Sequence, residues 1–438
     1  MDDKFSKTFQ ARFPKFGINK SREITRLIKE LSKIQGISDI EFLNSIKETN
    51  YERLKESLVK QRYPKTFGAA PLSSYYLPKY EINPEFAADT NPSGFYPKTI
   101  YYEPSVKNTK VFQNTKKLFP NAEFTEIESL KSHTKNKNFT LKDYNSRDER
   151  LFLIEEKYDF FKKCPCTQGV LNCGYSIMNL GMGCVYDCAY CFLQGYQNVG
   201  GIVLPCNIDD YLKEEKLVSQ VSEIFDYKRI GSGEFTDSLV FDHITEFSKD
   251  IIAFFKKCDK VTFEFKTKSV NIKNLLEAGG KKNIVAAWSV NSKQMQKETE
   301  FKTPSIEARL SAARECAKVG FSTAFHFDPI IFHEGWREGY KETVDMIFDT
   351  VPAESIKWIS LGTLRMPAAQ KQIMENRFPD NKILNGELLL GEDYKLRYDK
   401  KTRAEIYKFI SALIRSKKSS AIVYLCMEDE EMHSARTT

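Results

Sequence analysis

The chain has 438 residues, 41% hydrophobic, 13% aromatic and 29% charged, which excludes a disulfide-stapled mini-protein, a disordered tail and a membrane-embedded chain. Its net charge of +7 is uneven: residues 1–150 hold 27 Lys and Arg against 19 Asp and Glu, and the remainder is close to neutral. A basic first third suits a polyanionic partner, or it is a solvated basic surface with no special role.

No apolar run approaches the roughly 20 residues that cross a bilayer. The start, MDDKFSKTFQARFPKF, lacks the apolar stretch of a signal peptide, so the expected compartment is the cytoplasm. In that compartment the ten cysteines are expected as thiols, metal ligands or redox groups rather than disulfides.

Along the chain, residues 20–62 carry apolar positions at helical spacing, with Ile24, Leu27, Ile28 and Leu31 in one stretch and Leu54, Leu58 and Val59 in another. Six prolines between Pro64 and Pro97 then interrupt helices and central strands alike. Residues 1–95 thus form a helical extension with a Pro-rich linker, followed by an α/β segment over 96–175. From about residue 175 short β-rich runs alternate with amphipathic helical stretches. The candidate strands are Ser176–Leu180, Arg229–Gly233, Val261–Lys266, Ile284–Val290, Ser322–Phe327 and Ile356–Leu361, with helices such as Asp242–Phe255 and Ile306–Val319 between them. Right-handed crossovers curl six such units into a partial (β/α)6 TIM-like barrel over 176–370, with the chemistry on the loops at the strands' carboxyl ends. A helix near Arg403–Ile414 and the apolar run Ala421–Cys426 complete it within 371–438.

The sharpest local signal is Cys184-Val-Tyr-Asp-Cys188-Ala-Tyr-Cys191, directly after the first candidate strand. Ten randomly placed cysteines produce this triple with a chance of roughly 0.004. Three thiolates on one loop can hold three irons of a 4Fe–4S cluster and leave the fourth open to a non-protein ligand. Zinc is the competitor, but a closed zinc site wants four ligands, and no second C-x2-C or H-x3-H pair stands elsewhere. GxxxxGK[ST], G-x-S-x-G, HExxH and a dinucleotide fingerprint are all missing.

At these residues the sequence resembles the radical S-adenosylmethionine enzymes and, more narrowly, the spore photoproduct lyase family. The resemblance begins near Ile100-Tyr-Tyr-Glu-Pro104 and includes GMGCVYDCAYCFLQ, TDSLVFDH, KTKSVNIKNLL, SVNS, EARLSAARECAKVGF and HEGWREGY in order. It implies a radical S-adenosylmethionine barrel whose cluster is held by Cys184, Cys188 and Cys191. It also implies reductive cleavage of S-adenosyl-L-methionine to a 5′-deoxyadenosyl radical, supplied with electrons by a donor such as flavodoxin or ferredoxin. DNA, as a UV lesion or a base to be modified, is the implied substrate. Radical modification of a protein or small molecule, and a non-catalytic iron–sulfur nucleic-acid-binding protein, stay open as alternatives.

By the same resemblance, Tyr190 lies against the adenine, and Glu234 of Gly231-Ser232-Gly233-Glu234 receives the methionine ammonium. Thr236, Lys268, Ser289 and Asn291 make the remaining cofactor contacts, and Arg365 falls in the lesion-facing region. The family's hydrogen-donating cysteine maps onto Glu234, counting back from Asp242-His243, and a relay tyrosine maps onto Phe192. The usual relay is therefore broken, and Cys426 is a candidate substitute donor. Cys164, Cys166 and Cys173 are read as a further donor or cluster set or as incidental thiols. His326, His333, Trp336 and Tyr340 are read as substrate contacts or as core.

Overall fold

The computed structural model describes residues 3–77, 82–135, 138–158, 160–166, 169–171, 173–213 and 228–435. They form two compact units, 1–84 with 365–403, and 85–364 with 404–438. The first is built on four helices, α1 (Asp3–Arg12), α2 (Ile18–Gln35), α3 (Asp39–Ser45) and α4 (Tyr51–Arg62). In α2 the helical spacing of Ile24, Leu27, Ile28 and Leu31 puts all four in one apolar core with Leu54, Leu58 and Val59 of α4. The helix ends are set locally. Gly36 closes α2 in the left-handed conformation, and the Ser38 and Asn50 side chains accept from Glu41 N and Arg53 N to open α3 and α4. Residues 371–403, grouped in the sequence with the closing elements of the barrel, belong to this helical unit. The unit also holds a three-stranded antiparallel sheet of Arg365–Pro367, Leu389–Leu390 and Lys395–Arg397.

The second unit holds two main sheets. A parallel four-stranded sheet runs in the order β2 (Glu123–Glu126), β1 (Thr99–Tyr102), β3 (Arg150–Ile154), β7 (Ile202–Pro205). The other sheet is the curled half-barrel. Its eight strands follow the order β14 (Val423–Leu425), β13 (Ile356–Thr363), β12 (Ser322–Ile330), β10 (Ile284–Ser289), β9 (Val261–Thr267), β8 (Lys228–Ser232), β5 (Tyr175–Met178), β4 (Phe161–Lys163). The six expected strands are the six central ones. The C-terminal apolar run adds β14 as a further parallel strand on one edge, and β4 adds an antiparallel strand on the other. Every residue of β10 is buried, the continuous apolar pattern of a parallel strand covered on both faces. The helix expected over Asp242–Phe255 is broken at Glu246, whose φ of 54 starts a second helix, α5 (Phe247–Phe255). Helices α6 (Ile306–Lys318), α7 (Trp336–Thr350) and α8 (Lys400–Lys417) contribute Leu310, Tyr340 and Ile410 to the barrel core. Among the described residues no helix is long and apolar enough to cross a membrane.

Candidate active site

The parallel strands deliver their loops to one end of the half-barrel. The loop after β5 carries Cys184, Cys188 and Cys191, and two of them are held by backbone hydrogen bonding. Cys188 lies in β6 (Asp187–Cys188), which pairs antiparallel with β11 (Glu300–Phe301) so that Cys188 faces Glu300 across the ladder. Cys184 Sγ accepts from Tyr186 N at 3.4 Å. A buried arginine from outside the barrel fastens the same loop. Arg147 donates to Cys184 O at 2.7 Å, to Tyr144 O and Tyr186 O at 2.9 Å each, and pairs with Asp187 Oδ1 at 2.9 Å. Two of these charge-assisted bonds go to backbone carbonyls at Cys184 and Tyr186 and a third to the Asp187 side chain, all on the stretch from the first cysteine to the second.

Glu300 joins the cysteine loop to the barrel. It accepts a short hydrogen bond from the Tyr190 hydroxyl and pairs through Oε2 with Arg309 at 2.6 Å, and Arg309 also donates to Ser289 O. Lys268, just past β9, places its ammonium 5.6 Å from the Tyr190 ring centre. Burial works against its charge, yet Cys188 and Glu300 outweigh it and hold the lysine pKa above the ordinary value. The Lys268 backbone N–H donates to Asp237 Oδ2 at 2.7 Å, and Oδ1 of the same carboxylate takes Leu239 N, Val240 N and the Thr267 hydroxyl. Asp237 thereby ties the loop after β8 to the end of β9.

That loop, Gly231-Ser232-Gly233-Glu234, is shaped by its glycines. A Cβ on Gly231 would lie 1.7 Å from the Tyr175 hydroxyl oxygen, and Gly233 has a φ of +90 with Thr236 O only 2.9 Å from where its Cβ would stand. Glu234 makes an ion pair with Lys162 of β4 at 2.5 Å, and the Lys162 ammonium sits 3.9 Å from the Phe235 ring centre. Thr236 is buried, with a hydroxyl oxygen that meets no hydrogen-bond partner among the described residues.

The donor set fits an iron–sulfur cluster. Cys184 and Cys188 are buried, Cys191 partly so, and all three are thiols. Burial pushes the Cys188 thiol up to about 12, and burial with Asp237 nearby pushes Cys184 well above its usual value, so both carry protons that metal binding would release. Each of these two lies within electrostatic reach of Cys191. Among the described residues no three His, Cys, Asp or Glu side chains converge as the ligands of one ion do. Thiolates around a cluster, each on a different iron, are spread wider than that.

Comparison with known proteins accords with this geometry. The family model for spore photoproduct lyase matches residues 95–425. The chain belongs to the spore photoproduct lyase family. This is a family of radical S-adenosylmethionine lyases. Spore photoproduct lyase of Bacillus subtilis (strain 168) is 25% identical over 304 residues, covering 66% of this chain and 84% of the relative. That of Geobacillus sp. (strain Y412MC61) is 27% identical over 305 residues, with the same two coverages. Among solved structures, a spore photoproduct lyase mutant with bound AdoMet and dinucleoside spore photoproduct matches with a TM-score of 0.64 at 22% identity, over 76% of this chain and 100% of that one.

Within the family frame, the fold gathers Cys184, Cys188, Cys191, Tyr190 and Lys268 in one region. Ser289 ends β10 and gives its carbonyl to Arg309. Asn291 is engaged elsewhere: Oδ1 accepts from the Tyr340 hydroxyl at 2.7 Å and Nδ2 donates to Pro329 O. Tyr340 and Trp336 are core residues, which accounts for both aromatics by packing. His326 is enclosed between Glu264 Oε1 at 2.7 Å and Ser360 Oγ at 2.6 Å, and His333 Nδ1 faces Ile331 O at 2.8 Å. Cys426 follows β14, and Arg365 opens the short sheet of the helical unit. A cavity of about 350 Å³ in the helical unit is lined by Arg22, Glu23, Arg26, Lys55 and Tyr76 among others, none of them a residue of this site. Arg147 and Glu300 carry no local sequence signal, and Arg309 stands inside the EARLSAARECAKVGF motif without having been singled out. Asp237 stands inside the TDSLVFDH motif, where its motif position was the only clue.

Proposed function

We propose that this chain is a radical S-adenosylmethionine enzyme that acts on DNA, at a UV lesion or a base. The observation that carries the reading is the Cys184–Cys191 loop, fastened by Arg147 and Glu300 at the carboxyl end of a half-barrel, with Lys268 and Tyr190 against it. Cys184, Cys188 and Cys191 would hold a 4Fe–4S cluster, and Tyr190, Glu234, Thr236, Lys268 and Ser289 would hold S-adenosylmethionine. When bound, the pair supplies one-electron cleavage of a sulfonium and abstraction of a hydrogen atom from substrate. Lys268 offers a fixed cation to a carboxylate, and Thr236 an unpaired hydroxyl. DNA enters the reading from the relatives, whose name states a photoproduct substrate, and from the basic first third of the chain.

Glu234 gives the reading its particular form. A carboxylate paired with Lys162 has no hydrogen atom to give a substrate radical, and Phe192 has no hydroxyl to return one. The enzyme is therefore expected to consume S-adenosylmethionine stoichiometrically. The test is 5′-deoxyadenosine formed per product by anaerobically reconstituted, reduced protein given DNA that carries spore photoproduct. Lesion-stimulated cleavage at one cofactor per product is the expected result. Cleavage that is unaffected by the DNA, with no DNA binding that weakens with salt, would move the substrate to a protein or small molecule.

A further inference from the structure

Four of the remaining cysteines lie on the segments that follow the two edge strands of the eight-stranded sheet. Cys164, Cys166 and Cys173 follow edge strand β4, and Cys426 follows edge strand β14. Backbone bonds set their places. Cys164 N donates to Tyr175 O at 3.0 Å, Cys166 N to Cys164 O at 2.8 Å, and Cys426 N to Leu361 O at 2.8 Å. Leu171 N donates to Glu428 O at 3.0 Å, which brings Leu171 onto the segment after β14. The Cys164 thiol shares a hydrogen bond with Cys166 and lies within electrostatic reach of Cys426 and Cys173.

Cys206 and Cys316 are buried in the apolar core and Cys258 packs against it, whereas Cys164, Cys166, Cys173 and Cys426 are partly exposed thiols outside that cluster. The Arg229 guanidinium, already paired with Glu264 at 3.1 Å, lies 4.1 Å from the Trp358 ring centre, 5.0 Å from Tyr175 and 5.1 Å from Tyr424.

We propose that Cys164, Cys166, Cys173 and Cys426 hold a second iron–sulfur cluster, which would tie the segments after the two edge strands to each other. Thiolate ligands select soft metal centres. Tetrahedral zinc is the competing occupant of four thiolates. With four protein thiolates the cluster has no open iron, so it cannot bind S-adenosylmethionine as the Cys184–Cys191 site is proposed to do.

The test is iron, sulfide and zinc per chain in the full-length protein after anaerobic reconstitution, with electron paramagnetic resonance of the reduced state. Wild-type protein is expected to carry about twice the iron of a Cys184→Ala, Cys188→Ala, Cys191→Ala variant. That variant leaves residues 164–173 intact, so misfolding of the new site cannot mimic the result. Its resonance should be unchanged by S-adenosylmethionine. Cys164→Ser with Cys166→Ser should lose the S-adenosylmethionine-insensitive signal and keep the sensitive one. The proposal is overturned if the triad variant takes up no iron, if zinc occupies the site instead, or if Cys164→Ser with Cys166→Ser keeps the full iron content. Loss of only the sensitive signal in the triad variant supports both sites. A triad variant with wild-type iron would overturn the cluster assignment under Proposed function.

Discussion

Arg147→Met removes the fastening of the cysteine loop while keeping most of the side chain's length. The guanidinium is buried and makes three bonds to backbone carbonyls and one to Asp187. Its loss takes a donor from three carbonyls and the guanidinium from Asp187, which also faces Lys302 at 3.3 Å. Breaking a buried pair in this way costs about 3–5 kcal/mol. At about 2 °C per kcal/mol for a large unit, the apo-protein should melt about 6–10 °C lower by differential scanning fluorimetry, and the reconstituted variant should lose most of the iron of the first site. Arg147→Lys should fall between, because an ammonium keeps the charge and loses the fork. Ile359→Ala, a fully buried site on β13, costs a comparable 2–5 kcal/mol or so and should melt lower while keeping its iron. An Arg147→Met protein that melts and binds iron like wild type would refute the idea that this residue shapes the loop.

Glu264→Gln tests the charge buried in the barrel. Burial opposes ionisation of Glu264, but Arg229 at 3.1 Å and His326 outweigh it and hold the carboxyl well below the usual range. A lowered folded-state pKa contributes stability that is present above the unfolded value of about 4.3 and lost as pH falls further. Wild-type melting should drop below about pH 5, and Glu264→Gln should melt lower at pH 7 with a shallower acid fall; parallel curves would contradict this. Gly233→Ala forces a side chain into φ +90 against Thr236 O, a strain of about 1–3 kcal/mol. S-adenosylmethionine binding by equilibrium dialysis should weaken roughly tenfold, and unchanged affinity would remove this loop from the cofactor site. In the helical unit, Arg62→Met breaks the bond to Glu30 at 2.8 Å and those to the Leu384, Asn385 and Gly386 carbonyls. Hydrogen exchange should quicken over residues 383–387, and unaltered protection would assign that turn's order to other contacts.

Legibility in the sequence followed the range of the interactions. The six central strands could be read because each is a short apolar run bounded by turn residues, and the cysteine loop because its spacing is local. The break at Glu246 was hidden, since a left-handed residue inside an amphipathic stretch leaves the 3.6-residue period intact on both sides. β7 was also concealed: Ile202–Pro205 lies between two barrel strands in sequence but pairs with β3 in the other sheet. Partners of the site came from farther away. Arg147 reaches a loop 37 residues on, and Tyr190 meets Glu300 across 110 residues; only the folded chain brings such pairs together. Asn291 and Tyr340 illustrate the converse, two polar-tipped residues that bond to each other and to the backbone at Pro329 and Ile331.

The most direct test of the central claim is S-adenosylmethionine cleavage by the reconstituted, reduced protein, wild type against Cys188→Ala, followed as 5′-deoxyadenosine. The account predicts cleavage by the wild type and none by Cys188→Ala. Equal cleavage by both, or none by a wild-type protein that holds its full iron, would contradict it.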